Sequence, residues 1–304
     1  MSEPLIPAIE VPELPILPGE HSFEILGRAV EIGPWTIKPF GALVAVGVYL
    51  GVLIAARIAR KRGIHPEAMS KFMYWVLASA FVFGHVLDAI FYHPQRVMAD
   101  PLLLLRLWDG LSSFGGFIGA AIGVFAFKYR YKVKRVLPFA DTMAAAFPVG
   151  WTFGRMGCAV VHDHPGMRSD LWFAVAFEHG GRFDLGLYEM VFALIVAIVC
   201  LILARKPKPP GFFLGFTMLV YAPVRFALDF LRAEPGHITG ADPRYLMLTP
   251  AQWASFAMVA AGFALLWHAS GSDDVGNEPF EAAANDADPS LLQRSNEERS
   301  AEAA

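Results

Sequence analysis

Apolar residues come in continuous runs of about twenty, separated by short polar segments, from residue 41 to residue 268. A run of that length is what an α-helix needs to cross the roughly 30 Å hydrocarbon core of a bilayer. The runs predict seven spans: from just after Phe40-Gly41 to Ile58, then Ser70 to Tyr92, Ser112 to Phe127, Val136 to Cys158, Gly186 to Ala204, Gly211 to Leu231 and Leu248 to His268. The ten-residue alternation of a membrane β-barrel is not their pattern, so the spans are expected to be helices that satisfy their own backbone groups. The expected fold is an all-α integral membrane protein with seven transmembrane helices and an outer-side loop region.

Composition agrees with that pattern. Of 304 residues, 55% are hydrophobic and only 17% charged, which is too apolar for a soluble core under a polar surface. Residues 1–40 read as an outer arm, extended or lying partly on the membrane surface. Residues 1–33 have five prolines and no basic segment leading into an apolar core, so a cleavable signal peptide is not expected. Residues 41–268 form the membrane domain, and 269–304 an acidic tail expected to be disordered. Cys158 and Cys200 form neither a disulfide framework nor a zinc-like spacing. Nucleic acid is not an expected partner, since residues 271–304 carry nine acidic against two basic residues.

Charge distribution orients the chain. Basic clusters follow the first, third and fifth spans: Arg57 to Arg62, Lys128 to Arg135, and Arg205 to Lys208. The positive-inside bias puts these loops in the cytoplasm, the N-terminus outside and the tail inside. The polar residues of the spans then share one depth. His85 and Asp88, Arg155, Tyr188 and Glu189, Arg225 and Asp229, and Ser112-Ser113 all fall in the outer leaflet. Asp141 is the exception, expected to face the cytoplasmic interface. Ionisable residues in hydrocarbon are costly and mark sites.

Arg155 lies in Gly154-Arg155-Met156-Gly157-Cys158, near the end of an apolar run. Tyr221, Arg225, Asp229 and Arg232 fall on one helical face. Arg225 and Asp229 can neutralise each other, and Arg232 can reach the interface, with or without a further role. His85 and Asp88, at i and i+3, allow the carboxylate to orient the imidazole as a general base, although a lone histidine near an interface is otherwise a satisfied polar residue. Ser113, Gly115 and Gly116 combine a packing face with a helix N-terminus able to hold phosphate. His162-Asp163-His164 lacks a further metal ligand and reads as a solvated loop or a lipid-headgroup contact. No metal and no cofactor are expected. Trp108-Asp109-Gly110 reads as a turn with an interfacial anchor.

The order of these motifs resembles the bacterial prolipoprotein diacylglyceryl transferases over about residues 32–268. It is carried by Ile32-Gly33-Pro34 with Phe40-Gly41, Phe91-Tyr92 with Met98-Ala99-Asp100-Pro101, Trp108-Asp109-Gly110, and Gly115-Gly116-Phe117-Ile118-Gly119. The series continues with Gly154-Arg155-Met156-Gly157, Leu187-Tyr188-Glu189, Arg225-Phe226 through Asp229-Phe230-Leu231-Arg232, and Leu248-Thr249-Pro250-Ala251-Gln252. The resemblance implies an inner-membrane enzyme that moves the diacylglyceryl group of phosphatidylglycerol to the lipobox cysteine of a preprolipoprotein, releasing glycerol phosphate. Its partners are then phosphatidylglycerol, the lipobox peptide and membrane lipids. The expected catalytic residues are Arg155, Arg225, Asp229, His85 and Asp88. Gly154, Gly157, Ser113, Gly115, Gly116, Tyr188, Glu189, Tyr221 and Arg232 are expected to bind substrate.

The chain departs from the family pattern at several places. Phe114 stands where the family has a histidine, Cys158 ends the GRxGN motif, Asp229 replaces the RFxxEF glutamate, and the HPxQ before Tyr188-Glu189 is absent. His85, where arginine is common, is expected to supply the thiol base. The alternatives are a paralogue with another acceptor and a phospholipid-binding membrane protein without catalysis.

Overall fold

The computed structural model describes residues 6–8, 11–17, 21–25, 28–32, 35–106, 110–177, 180–233 and 244–271. Gly33-Pro34, the Trp108-Asp109 turn and the acidic tail lie outside these residues. The chain is mostly helical, and long helices occupy all seven expected places. They are α1 (Pro39–Lys61), α2 (Pro66–Tyr92), α4 (Ser113–Arg130), α5 (Leu137–Val161), α6 (Leu185–Leu203), α7 (Phe212–Leu228) and α8 (Pro250–Ser270), with a short α3 (Pro94–Ala99) between α2 and α4. Among the described residues, α1, α2, α6, α8 and α7 with the 3₁₀ turn that follows it are long and apolar enough to cross a membrane.

The all-α expectation needs correction in the arm and the outer loop. Short strands form there: β1 (Ile6–Pro7), β2 (Leu14–Leu17), β3 (His21–Ile25), β4 (Arg28–Ile32) and β5 (Trp35–Ile37), then β6 (Pro165–Arg168), β7 (Val175–Phe177) and β8 (Gly180–Asp184). A four-stranded sheet runs β1-β7-β8-β6, and β2 pairs with β5 and β3 with β4. Strands of two to five residues carry too little alternation to stand out beside twenty-residue apolar runs.

Two compact units divide the chain, with boundaries inside α1, α5, α7 and α8. The first comprises Met1–Gly51, Ala145–Arg205 and Leu214–Trp267; the second comprises Val52–Ala144, Lys206–Phe213 and His268–Ala304. In the first unit β6 and β8 pair with Pro165 opposite Asp184, which brings the chain leaving α5 back to the start of α6. Asp184 caps α6, its Oδ1 accepting from the Leu187 amide at 3.0 Å. Gly166 bridges to Arg232, and a Cβ at Gly166 would fall 2.5 Å from the Leu231 carbonyl oxygen. The outer sheet therefore grips the end of α7.

In the second unit α4 lies against α2 along glycines spaced by four. A Cβ at Gly115 would fall 2.7 Å from the Phe83 carbonyl oxygen, one at Gly119 2.8 Å from Phe83 Cβ, and one at Gly123 2.6 Å from the Trp75 carbonyl oxygen. Small residues let membrane helices approach this closely. Gly116, one residue off the stripe, meets nothing nearer than 3.8 Å. Of the glycines expected to bind substrate, Gly115 is thus a helix contact and Gly116 has room beside it. Ser112 caps α4, its Oγ accepting from the Gly115 amide at 3.3 Å.

At the other end of this unit Phe72, Phe127 and Phe139 pack edge to face and tilted. Asp141 does not face an interface as expected. It is fully buried and accepts from Arg62 Nη1 at 3.0 Å, while Arg62 also meets Thr142, the Lys208 carbonyl and the Phe213 ring. Seventy-nine residues separate the pair. A buried carboxylate needs such a partner.

Gly119→Leu is expected to destabilise the protein by about 1–3 kcal/mol through overpacking, lowering the melting temperature in detergent micelles. Gly116→Ala is expected to leave it nearly unchanged.

Candidate active site: a buried chain of arginines and carboxylates

The first unit joins Arg155, Glu189, Arg225, Asp229 and Arg232 into one line of ion pairs. Arg155 Nε lies 2.7 Å from Glu189 Oε2, and Arg225 Nη1 donates to Glu189 Oε1 at 2.9 Å. Arg225 Nη2 reaches Asp229 Oδ1 at 2.9 Å, and Arg232 Nε donates to the same oxygen at 3.1 Å. The line alternates in sign and begins and ends on a guanidinium. Its carboxylates are buried, at 1% exposure for Glu189 and 0% for Asp229, whereas the Arg155 side chain keeps 17%. Carboxylates inside and guanidiniums toward the edge make a site that an anion can approach.

Local structure explains each placement. Arg155 is near the end of α5, and Glu189 is in the second turn of α6. Gly186 lets the two helices meet, because a Cβ there would fall 3.0 Å from Cys158 Cβ and from the Ala159 nitrogen. Gly157 admits Phe40, whose ring carbon would lie 2.9 Å from a Cβ at that position, whereas nothing lies within 4 Å of one at Gly154. On α7, Arg225 reaches Asp229 across one helical turn, and the backbone then tightens into a 3₁₀ turn over Asp229–Leu231. Thr249 and Gln252, quoted above only as a motif, hold this corner. The Thr249 hydroxyl donates to Asp229 Oδ2 while Thr249 and Gln252 cap the start of α8 reciprocally, at 3.0 and 3.2 Å. Gln252 Nε2 donates to the Phe226 carbonyl at 3.2 Å.

The remaining expected residues divide. Tyr221 stacks edge-on against Trp151, with ring centroids 4.7 Å apart, within electrostatic range of Glu189 and Arg225. Tyr188 donates its hydroxyl to the Phe173 carbonyl at 2.7 Å and packs against Phe173 and Phe183, which makes it an anchor of the outer sheet. His85 and Asp88 belong to the second unit. His85 is fully buried, with Nδ1 3.1 Å from the Gly110 carbonyl oxygen and Nε2 3.0 Å from that of Leu103. Asp88 approaches His93 at 3.9 Å. The expected His85–Asp88 pairing gives way to carbonyls from the connection between α3 and α4, which engage both ring nitrogens. The side chain of Ser113 lies outside the described residues.

Arg225 has both Nη groups on carboxylates, whereas Arg155 commits Nε to Glu189 and turns Nη1 toward Cys158 Sγ at 3.9 Å. Arg155 therefore keeps donors for a further acceptor. Arg225 holds Glu189 and Asp229 in register.

Apolar helices around part-buried guanidiniums and two buried carboxylates define a helical membrane protein with a charged centre. The chain belongs to the prolipoprotein diacylglyceryl transferase family, whose model matches residues 28–268. It is 29% identical over 247 residues to the phosphatidylglycerol–prolipoprotein diacylglyceryl transferase of Chromohalobacter salexigens, covering 78% of this chain and 90% of that one. It is 30% identical over 250 residues to the enzyme of the same name from Pseudomonas aeruginosa, covering 78% and 91%. To that of Tolumonas auensis it is 28% identical over 244 residues, covering 78% and 93%.

Glu189→Gln leaves Arg155 and Arg225 facing each other without a carboxylate, and a loss of roughly 3–5 kcal/mol is expected. Thr249→Val removes one hydrogen bond to a buried carboxylate and is expected to cost about 1–3 kcal/mol. Thermal unfolding in one detergent checks both the losses and their order.

Proposed function

We propose that this protein transfers the diacylglyceryl group of phosphatidylglycerol to the lipobox cysteine thiol of a preprolipoprotein and releases glycerol phosphate. The observation that carries this reading is the line of ion pairs in which Arg155 keeps donors for an incoming anion while Arg225 is locked between two carboxylates. Family membership and the names of the relatives support the same substrates.

The reaction is a displacement at carbon. The thiolate sulfur attacks the glyceryl carbon that carries the phosphate oxygen, the carbon–oxygen bond breaks, and the electron pair leaves with the phosphate. Arg155 binds that phosphate and takes up the charge developing on it, a role suited to a planar guanidinium with parallel donors. Glu189, Arg225, Asp229 and Arg232 keep Arg155 in place, and Tyr221 borders the same ion pairs. Gly154 leaves Arg155 without a crowding side chain beside it.

In this reading α4 and α5 join the five apolar helices to make seven spans across a bacterial inner membrane. The basic clusters after α1, α4 and α6 lie in the cytoplasm with the acidic tail. The N-terminal arm and the outer sheet are periplasmic, and the arginine line opens on the outer leaflet where phosphatidylglycerol enters sideways. Acceptor thiols arrive from the periplasmic face.

Expression of the chain is expected to restore growth to a bacterium depleted of its own diacylglyceryl transferase. Arg155→Lys keeps the charge but loses the paired donors, and is expected to reduce transfer by about 100-fold or more. Failure of the unaltered chain to restore growth, or full activity in Arg155→Lys, counts against the reading.

A further inference from the structure

Thiol alkylation needs a thiolate, and His85, the residue expected to generate it, has both ring nitrogens on backbone carbonyls. The first unit offers another means at the end of α5. His162 adopts a left-handed conformation, φ 51°, and ends the helix. Its Nδ1 lies 2.6 Å from buried Asp184 Oδ2, which fixes the turn. The chain then folds back, held by the Leu185 amide donating to the His164 carbonyl at 3.2 Å. As a result Asp163 and His164 return to Cys158, and one ligand atom from each of the three lies within 4.8 Å of the others. Among the described residues this is the one such group of three. The His-Asp-His run lacked a further ligand in the sequence, and the fold supplies Cys158.

We propose that Cys158, Asp163 and His164 bind one zinc ion whose fourth position takes the acceptor thiol. Sulfur, nitrogen and oxygen together suit zinc, a borderline-soft ion that binds all three in tetrahedral geometry. Bond lengths of about 2.0–2.3 Å put tetrahedral ligand atoms roughly 3.3–3.7 Å apart, so small side-chain rotations close the present cluster. His164 and Asp163 meet through Nδ1 and Oδ1, a contact the ion would replace or rearrange. Three protein ligands leave one position open, and the exposures of His164 and Asp163, 31% and 40%, place an accessible side at the cluster.

Arg155 stands one helical turn before Cys158 with Nη1 3.9 Å from its sulfur. That places the metal beside the phosphate-binding arginine. The role of the metal rests on the reaction proposed above. Coordination releases the acceptor thiol proton to solvent, because a zinc-bound thiol is deprotonated. The bound thiolate then forms the carbon–sulfur bond as the carbon–oxygen bond to phosphate breaks. The thioether product carries no charge, binds zinc weakly and departs.

Metal binding is read first without reference to activity. Full-length protein in detergent, stripped by a chelator and titrated with cobalt(II), is expected to show a thiolate-to-cobalt charge-transfer band saturating at one ion per chain. The band is expected to vanish in Cys158→Ser and to need at least tenfold more cobalt in His164→Gln. Zinc is expected to displace cobalt, and transfer to a lipobox peptide is expected to stop in chelator and return with zinc. Absence of the band in unaltered protein, or its persistence in Cys158→Ser, overturns the proposal. So does full transfer by metal-stripped protein, which leaves the transferase reading standing. Cobalt binding without product under any metal condition overturns the transferase reading, and with it the assigned role of the ion.

Discussion

Charges inside a membrane protein must be paired, and here two buried carboxylates, Glu189 and Asp229, pair three arginines drawn from α5, α7 and the segment after it. Each carboxylate oxygen is matched to a cation or to the Thr249 hydroxyl. Removing any member strands a charge in a low-dielectric setting, which costs several times what an exposed pair is worth. The helices that carry these residues are therefore constrained in rotation and depth by a handful of side-chain atoms. Gly186 lets α6 come close enough to α5 for the line to close, and Gly157 admits Phe40 of α1 against α5.

The same line separates holding from reacting. Arg225, Asp229 and Arg232 bind one another, and Thr249 and Gln252 brace them through the cap of α8. Arg155, at the end of the line, has Nε on Glu189 and turns Nη1 toward Cys158. In the proposed reaction the substrate phosphate meets a donor already aimed, the condition under which electrostatic stabilisation is most effective.

Much of this was legible in the sequence, because charges in apolar runs stand out. Arg155, Arg225 and Asp229 were marked by depth alone, and the helices fall within a turn of the apolar runs that predicted them. Contacts made by backbone or by distant loops were not legible. His85 next to Asp88 suggests a base only until the carbonyls of Leu103 and Gly110 arrive. Asp141 finds Arg62 from 79 residues away. Tyr188 reads as a binding residue, yet its hydroxyl belongs to Phe173 in the turn between β6 and β7. The grouping of Cys158 with Asp163 and His164 depends on one left-handed residue, His162, a conformation uncommon outside glycine that the apolar pattern does not mark.

The central claim is that this centre alkylates a cysteine with the lipid part of phosphatidylglycerol. Its most direct test is mass spectrometry of a synthetic lipobox peptide incubated with purified protein, zinc and phosphatidylglycerol of defined acyl chains. A mass increase equal to the matching diacylglyceryl group, located on the cysteine and accompanied by free glycerol phosphate, is the result this account predicts. An unmodified peptide in the presence of bound phosphatidylglycerol would contradict it.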